Sequence, residues 1–144
     1  MKNPSRAINI LVIEDNPVSA TVIRKHAERE TRYRLSVRVA TDGLVGYREA
    51  RALRPDLILL DLNMPTYDGR SFLEMFQNEP KLQGCKVVVY AAADKPTLDQ
   101  IQQEYPFVKV LQKPISPSQL VTQLVEILQA KPVVQSPSPT PPQT

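Results

Sequence analysis

The chain has 144 residues, of which 42% are hydrophobic and 23% are charged, a composition typical of one globular domain with its own core. Its net charge is only +3, and no dense basic run interleaved with aromatic residues indicates direct binding to nucleic acid. The single cysteine, Cys85, excludes a disulfide framework and a cysteine-built zinc cluster. Because the sequence contains no secretory signal and no long apolar span, we expect a cytoplasmic protein without membrane insertion.

Five short apolar runs have the length and composition of strands. They are Ile8–Ile13, Leu35–Ala40, Leu57–Leu60, Lys86–Tyr90 and Phe107–Leu111. The first and third runs are nearly continuous in Ile, Leu and Val, which is typical of parallel strands covered by helices on both faces. The second run alternates apolar and polar residues, as an edge strand does.

Segments with a helical period lie between and after these runs. Pro17 can occupy the first helical position after Asn16, and Val18, Val22 and His26 then recur on one helical face. Further helices are predicted over Gly43–Leu53 and Gly69–Asn78, from Asp94 to about Tyr105, and from Ser116-Pro117 onward. Regular alternation of strand and helix predicts an α/β fold of five βα units around a parallel sheet.

The composition changes near the end of the chain. Residues 132–144 contain five of the fourteen prolines together with Ser, Thr and Gln, and they carry no charge. Such a segment cannot bury a core, so we predict a disordered tail or linker there. Residues 8–131 form the predicted domain and residues 1–7 an extension before it. Whether an output domain follows the tail stays open.

Charged residues follow three of the predicted strands. Glu14 and Asp15 come after the first strand, Asp61 after the third and Lys113 after the fifth. The carboxyl ends of parallel strands meet at one edge of the sheet, so these side chains should converge. Crowded carboxylates repel one another and attract a cation, and oxygen ligands without His or Cys favour Mg²⁺. A carboxylate placed there can attack phosphorus, with the lysine neutralising the anion that forms.

Three motifs carry a resemblance to a known family. They are Glu14-Asp15-Asn16-Pro17, the segment from Pro55 to Pro65 followed by Asp68-Gly69, and Lys113-Pro114. From about Ile8 to Ala130 the chain resembles a two-component response regulator receiver domain, of the stand-alone chemotaxis-regulator kind. The resemblance implies a flavodoxin-like, doubly wound sheet of five parallel strands in the order 2-1-3-4-5.

The resemblance also implies a role for each residue of the site. Asp61 would take a phosphoryl group from a histidine kinase or a phosphotransfer protein. Asp15 and Asp61 would ligate Mg²⁺ directly, with Glu14 acting through water and Asn63 through its backbone carbonyl. Lys113 would pair with the phosphate, and its peptide bond to the following proline would be cis.

The sequence departs from the family at two positions that couple phosphorylation to conformation. The family places Ser or Thr where this chain has Ala91, and an aromatic residue where it has Val110. A hydrogen bond to a charged group contributes roughly 1.5–3 kcal/mol, whereas full conversion of a two-state switch needs about 5.5 kcal/mol. We therefore expect a receiver that is phosphorylated but switches weakly or by a different route. Tyr90, within the fourth strand, is interpreted as a core residue.

The leading interpretation is a non-enzymatic signalling module that contacts a protein partner through its fourth helix, fifth strand and fifth helix; homodimerisation stays open. The alternative is a phosphorylation-independent pseudo-receiver that serves as a docking or scaffold module, which Ala91 and Val110 favour. A Mg²⁺-dependent phosphatase would need a second acid two residues after Asp61, where Asn63 stands. Flavin binding is disfavoured because Glu14 and its acidic neighbour would repel the flavin phosphate.

Overall fold

Strand and helix alternate along the chain in the computed structural model, which describes residues 7–64 and 69–129. The strands are β1 (Ala7–Ile13), β2 (Arg34–Ala40), β3 (Leu57–Asp61), β4 (Lys86–Ala91) and β5 (Val108–Gln112). The helices are α1 (Pro17–Glu28), α2 (Gly43–Leu53), α3 (Gly69–Gln77), α4 (Lys95–Glu104) and α5 (Pro117–Gln129), with a short 3₁₀ helix at Pro80–Leu82. The predicted tail at 132–144 lies outside the described residues, as do residues 1–6. None of the helices in the described ranges is both long enough and apolar enough to cross a membrane.

The five strands form one sheet in the order β2-β1-β3-β4-β5, and every neighbouring pair is parallel. The chain moves outward to β2, returns past β1, and then continues through β3 to β5. The strand order therefore reverses between β1 and β3, and sites in such sheets form in the crevice beyond the carboxyl ends of these strands. The flavodoxin-like, doubly wound fold predicted from the sequence is confirmed.

Helices cover both faces of the sheet, and alternate side chains of each strand belong to different cores. One core, here called the α1/α5 face, contains the strand residues Ile10, Val12, Leu57, Leu59, Val88, Tyr90 and Leu111. The other core, the α2/α3/α4 face, contains Leu11, Ile13, Ile58, Leu60, Val87, Val89 and Val108. These strand residues of the two cores are all aliphatic except Tyr90, which lies on the α1/α5 face.

Side-chain caps begin the helices that leave the carboxyl edge of the sheet. The Asn16 side chain accepts hydrogen bonds from the backbone N–H groups of Val18 and Ser19, and Pro17 occupies the first turn as predicted. The Asp94 side chain likewise accepts from the backbone of α4. Each cap satisfies amide groups that a helix leaves unpaired, and so fixes where the loop ends and the helix starts.

The face of α1 that packs on the sheet is not the one on which Val18, Val22 and His26 recur. Val18 is 70% exposed, whereas Ala20, Ile23 and Ala27 are buried. The spacing of Val18, Val22 and His26 fits one side of a helix, but small residues on another side allow α1 to approach the sheet closely. Elsewhere the predicted bounds hold to within about two residues; Phe107 lies just outside β5.

Candidate functional site

Strand alternation places four side chains of the candidate site on the same side of the sheet. Glu14 follows β1 in the phase of its α1/α5-face residues, and Asp61 ends β3 in that phase. Tyr90 in β4 has the same phase, as does Lys113 just beyond β5. Because side chains alternate along a strand, these four positions meet at the carboxyl edge beneath α1 and α5.

The three carboxylates that the sequence singled out are adjacent. One oxygen from each of Glu14, Asp15 and Asp61 lies within 4.8 Å of the others. Glu14 is 3% exposed and Asp61 is 5% exposed, so water screens their repulsion poorly. Burial raises the pKa of Glu14, and the neighbouring Asp61 raises it further, while hydrogen bonds from Tyr90 and Asn16 lower it.

This donor set fits a hard divalent cation. The clustered ligand atoms are carboxylate oxygens, which Mg²⁺ prefers over the nitrogen and sulfur donors that select other metals. The Lys113 ammonium lies 2.7 Å from Asp61 Oδ1, which also accepts a 2.8 Å hydrogen bond from the backbone N–H of Asn63. One positive charge among three carboxylates leaves a net negative site, which a cation would complete.

Both carboxylate oxygens of Glu14 are held by donors from the protein. The Tyr90 hydroxyl donates to Glu14 Oε1, and the backbone N–H of Asn16 donates to Oε2 at 3.1 Å. The Lys113 ammonium lies 4.7 Å from the centre of the Tyr90 ring, within the range of a cation–π contact. Burial raises the pKa of Tyr90, and the carboxylate of Glu14 raises it further. The hydroxyl therefore stays protonated and donates.

Sequence reasoning missed this role of Tyr90, which it interpreted as an ordinary core residue. The structure pairs Tyr90 directly with Asp61 in the parallel β3–β4 ladder, and this register is not given by the sequence alone. A polar aromatic residue beside the central aspartate, in an otherwise aliphatic strand, indicates a contact with the site. Because most other residues of the strand are apolar, the sequence favoured a core role for Tyr90.

The loop after β4 is tied to the site through hydrogen bonds. Asn63 Oδ1 accepts from the backbone N–H of Ala92 at 2.7 Å. The Gln112 side chain donates to the carbonyl of Ala93 at 2.9 Å, and the Lys113 N–H donates to the carbonyl of Ala91 at the same distance. The side chain of Asn63, for which the sequence suggested only a backbone role, therefore connects the end of β3 to this loop.

The two positions that depart from the family lie on the other side of the sheet. Ala91 is buried and follows Tyr90, so strand alternation turns it toward the α2/α3/α4 face. Val110 is half-buried and packs against the core of that face. The Lys113–Pro114 peptide bond is cis, as predicted. Pro65 and Asp68, which contributed to the sequence motif, lie outside the described residues.

A cavity of about 730 Å³ opens over the carboxylates. The charged residues that line it are Glu14, Asp15, Asp61 and Lys113, and the apolar lining residues include Val18, Val22, Ile115 and Leu120 from α1 and the α5 region. The cavity is large enough for a phosphoryl group and part of the molecule that carries it. Chemically, the site offers the Asp61 carboxylate beside the Lys113 ammonium, together with the carboxylates of Glu14 and Asp15, which could ligate a metal.

Comparison with known proteins identifies the family and the fold of the chain. The model of the family described as the response regulator receiver domain matches residues 10–125. The probable C4-dicarboxylate response regulator DctR of Halalkalibacterium halodurans is 34% identical over 119 residues, which are 83% of this chain and 50% of that protein. Protein-glutamate methylesterase/protein-glutamine glutaminase 1 of Geobacter sulfurreducens is 38% identical over 74 residues, which are 51% of this chain and 20% of that protein.

The chain thus spans half or less of the length of these curated relatives. Among solved structures, the phosphorylated cyanobacterial phytochrome response regulator RcpA matches with a TM-score of 0.69 and 28% identity, over 85% of this chain and 91% of that one. The chemotaxis response regulator CheY4 of Vibrio cholerae has a TM-score of 0.72 at 21% identity, over 85% of this chain and 99% of that one, and it shows the same fold. The chain belongs to the response regulator receiver domain family of two-component signalling.

Proposed function

We propose that Asp61 accepts a phosphoryl group from a phosphohistidine donor, either a histidine kinase or a phosphotransfer protein. The observation that carries this proposal is the Lys113 ammonium, 2.7 Å from Asp61 Oδ1, within a cluster of three carboxylates. An isolated aspartate at the end of a strand is usually a turn former. A buried aspartate beside a lysine and two further acids indicates instead a site where negative charge is neutralised by cations.

Transfer of the phosphoryl group exchanges one bond for another. An oxygen of Asp61 forms a bond to phosphorus while the phosphorus–nitrogen bond of the donor breaks. The electron pair of that bond stays on the imidazole nitrogen, which takes up a proton, and Asp61 becomes an acyl phosphate. Such a reaction needs positioning and charge stabilisation more than covalent help from the protein. Lys113 supplies one cation at the reacting oxygens.

The same residues would hold Mg²⁺. Asp15 and Asp61 would ligate it through carboxylate oxygens, Asn63 through its backbone carbonyl, and Glu14 through a bound water. When bound, the ion neutralises charge on the phosphoryl oxygens. This assignment follows the usual preference of Mg²⁺ for one or two carboxylates together with water and phosphate oxygens.

The proposed output is a protein contact at α4, β5 and α5, with a weak phosphate-dependent response of the preceding loop. Ala91 has no hydroxyl to bond a phosphate, and Val110 has no ring to reorient. The loop after β4 is already bonded to Asn63 and to the end of β5, which favours a small rearrangement. The partner would share a cytoplasmic location with the kinase.

Intact-mass measurement after incubation with acetyl phosphate and Mg²⁺ tests phosphoryl transfer. We expect wild type to gain about 80 Da, one phosphoryl group, while Asp61→Asn gains nothing. Asp99→Asn is a matched control, because Asp99 is an exposed aspartate on α4 that pairs only with Lys95 in the described part of the chain. Its adduct should equal that of wild type. An adduct on Asp61→Asn would contradict the proposal.

A phosphorylation-independent pseudo-receiver is the second candidate, and the pair Ala91 and Val110 favours it. Such a protein keeps the fold and the docking surfaces but has lost the transfer of phosphate. The same measurement separates the two functions, since a wild-type chain without any adduct would overturn the first proposal and support the second.

A further inference from the structure

Tyr90 contacts both an acid and the lysine of the candidate site. Its hydroxyl donates to Glu14, and its ring lies under the ammonium of Lys113, 4.7 Å from the ring centre. Lys113 in turn donates to Asp61. One side chain therefore contacts both a buried carboxylate of the site and the cation that is bonded to the proposed phosphoacceptor.

We propose that Tyr90 is a positioning residue, which orients Glu14 for Mg²⁺ binding through its hydroxyl and holds Lys113 over the site through its ring. The inference rests on the proposed function, because it assigns how that site is held in its working geometry. Tyr90 itself contacts neither the phosphoryl group nor the ion in this assignment.

The hydroxyl acts through the orientation of a buried carboxylate. Glu14 is 3% exposed, so lost hydrogen bonds are poorly replaced by water. With Oε1 bonded to Tyr90 and Oε2 to the Asn16 N–H, the carboxylate plane is restrained on both sides while one of its oxygens lies within 4.8 Å of the other two acids. Removal of the Tyr90 donor leaves one restraint and permits the group to rotate. Partners that orient metal-binding groups typically contribute 10–100-fold in metal affinity.

The ring acts through the position of the ammonium. Lys113 is partly exposed, with a side chain 25% accessible, and a long lysine side chain has several rotamers available. The Tyr90 ring provides a surface on which the ammonium rests while it donates to Asp61. Loss of the ring would let Lys113 leave the site more often, and this would slow transfer even when metal is saturating.

The two roles are separated by two substitutions. Tyr90→Phe removes the hydroxyl and keeps the ring, whereas Tyr90→Leu removes both. Tyr105→Phe is the matched control, because Tyr105 is also a buried tyrosine whose hydroxyl donates to a glutamate, Glu74, at 2.8 Å, but it lies on the α2/α3/α4 face. A general cost of losing a tyrosine hydroxyl would therefore appear in both Tyr→Phe variants.

The experiment measures the rate of phosphorylation by acetyl phosphate as a function of Mg²⁺ concentration. For Tyr90→Phe we expect the half-saturating Mg²⁺ concentration to rise about tenfold, with the rate at saturating Mg²⁺ within twofold of wild type. For Tyr90→Leu we expect the same rise together with a saturating rate about tenfold lower. Tyr105→Phe should leave both quantities unchanged.

A second measurement does not depend on phosphorylation. Titration of each variant with Mg²⁺ alone by calorimetry should show the same tenfold weakening for Tyr90→Phe. If wild type gains no phosphoryl adduct but the weakening is found, the proposed function fails and the hydroxyl role stands. Equal Mg²⁺ affinity in wild type and Tyr90→Phe would overturn the hydroxyl role, and so would equal weakening in Tyr105→Phe. A saturating rate for Tyr90→Leu equal to that of Tyr90→Phe would overturn the ring role.

Discussion

The two faces of the sheet differ in what they contribute to the carboxyl edge. On the α1/α5 face, Glu14, Asp61, Tyr90 and Lys113 contact one another in a chain of hydrogen bonds and a cation–π contact. In the phase of the α2/α3/α4 face, the two positions that depart from the family are Ala91 and Val110, which have only apolar side chains. The hydrogen bonds that join the candidate site residues therefore lie on one side of the sheet, and the two departures from the family lie on the other.

This difference separates two properties that receivers usually combine. The proposed binding of metal and phosphate depends on charged groups, of which Glu14, Asp61 and Lys113 have the strand phase of the α1/α5 face. In the proposed function, transmission of a change toward α4 would depend on Ala91 and Val110 in the other phase, and these two residues have neither a hydroxyl nor a ring. We infer that the chain can keep its reaction site intact while its loop response is reduced.

The largest expected effect compares neighbouring leucines of β3 that point to opposite faces. Leu59 and Leu60 are both fully buried, and each change to alanine should cost about 2–5 kcal/mol in the free energy of unfolding. Leu59 belongs to the same core as Tyr90, so only Leu59→Ala should also weaken Mg²⁺ binding. Urea unfolding and a Mg²⁺ titration measure the two quantities. Equal weakening of Mg²⁺ binding in both variants would remove the distinction between the faces.

An intermediate effect is expected when the missing hydroxyl is restored. Ala91→Ser places a donor where the family has one, and a bond to the charged phosphate contributes roughly 1.5–3 kcal/mol. Amide chemical shifts of the loop should then change more on phosphorylation than in wild type. Ala92→Ser, an exposed neighbour, is the control and should leave the response as it is. An unchanged response in Ala91→Ser would show that coupling depends on other groups.

The smallest expected effect concerns the bond that ties the loop to the site. Asn63→Ala removes the acceptor of the Ala92 N–H, a bond of 2.7 Å. Loss of this bond should lower the free energy of local opening by about 1 kcal/mol, so hydrogen exchange at Ala92 should be roughly fivefold faster. Asn78→Ala, which removes a side-chain bond to the carbonyl of Glu74 at the end of α3, should leave that rate unchanged. Equal acceleration in both variants would indicate a general loosening of the fold.

Most of the fold could be predicted because its signals are local. Continuous apolar runs such as Leu57–Leu60 indicate strands buried on both faces, and Pro17 after a capping asparagine indicates a helix start. The packing face of α1 could not be predicted, because the choice between Val18 and Ala20 depends on how closely the helix approaches the sheet. That distance depends on the small side chains of the helix together with the shape of the surface on which they pack.

For the candidate site, the sequence by itself determined which charged residues end the strands, and parallel topology then requires them to share one edge. It also determined what is missing, since Ala91 and Val110 are visible without coordinates. Only the tertiary structure decided which neutral side chain supports the charged ones. Tyr90 meets Glu14 across 76 residues of sequence, and such a contact depends on strand register and rotamer, which long-range packing sets.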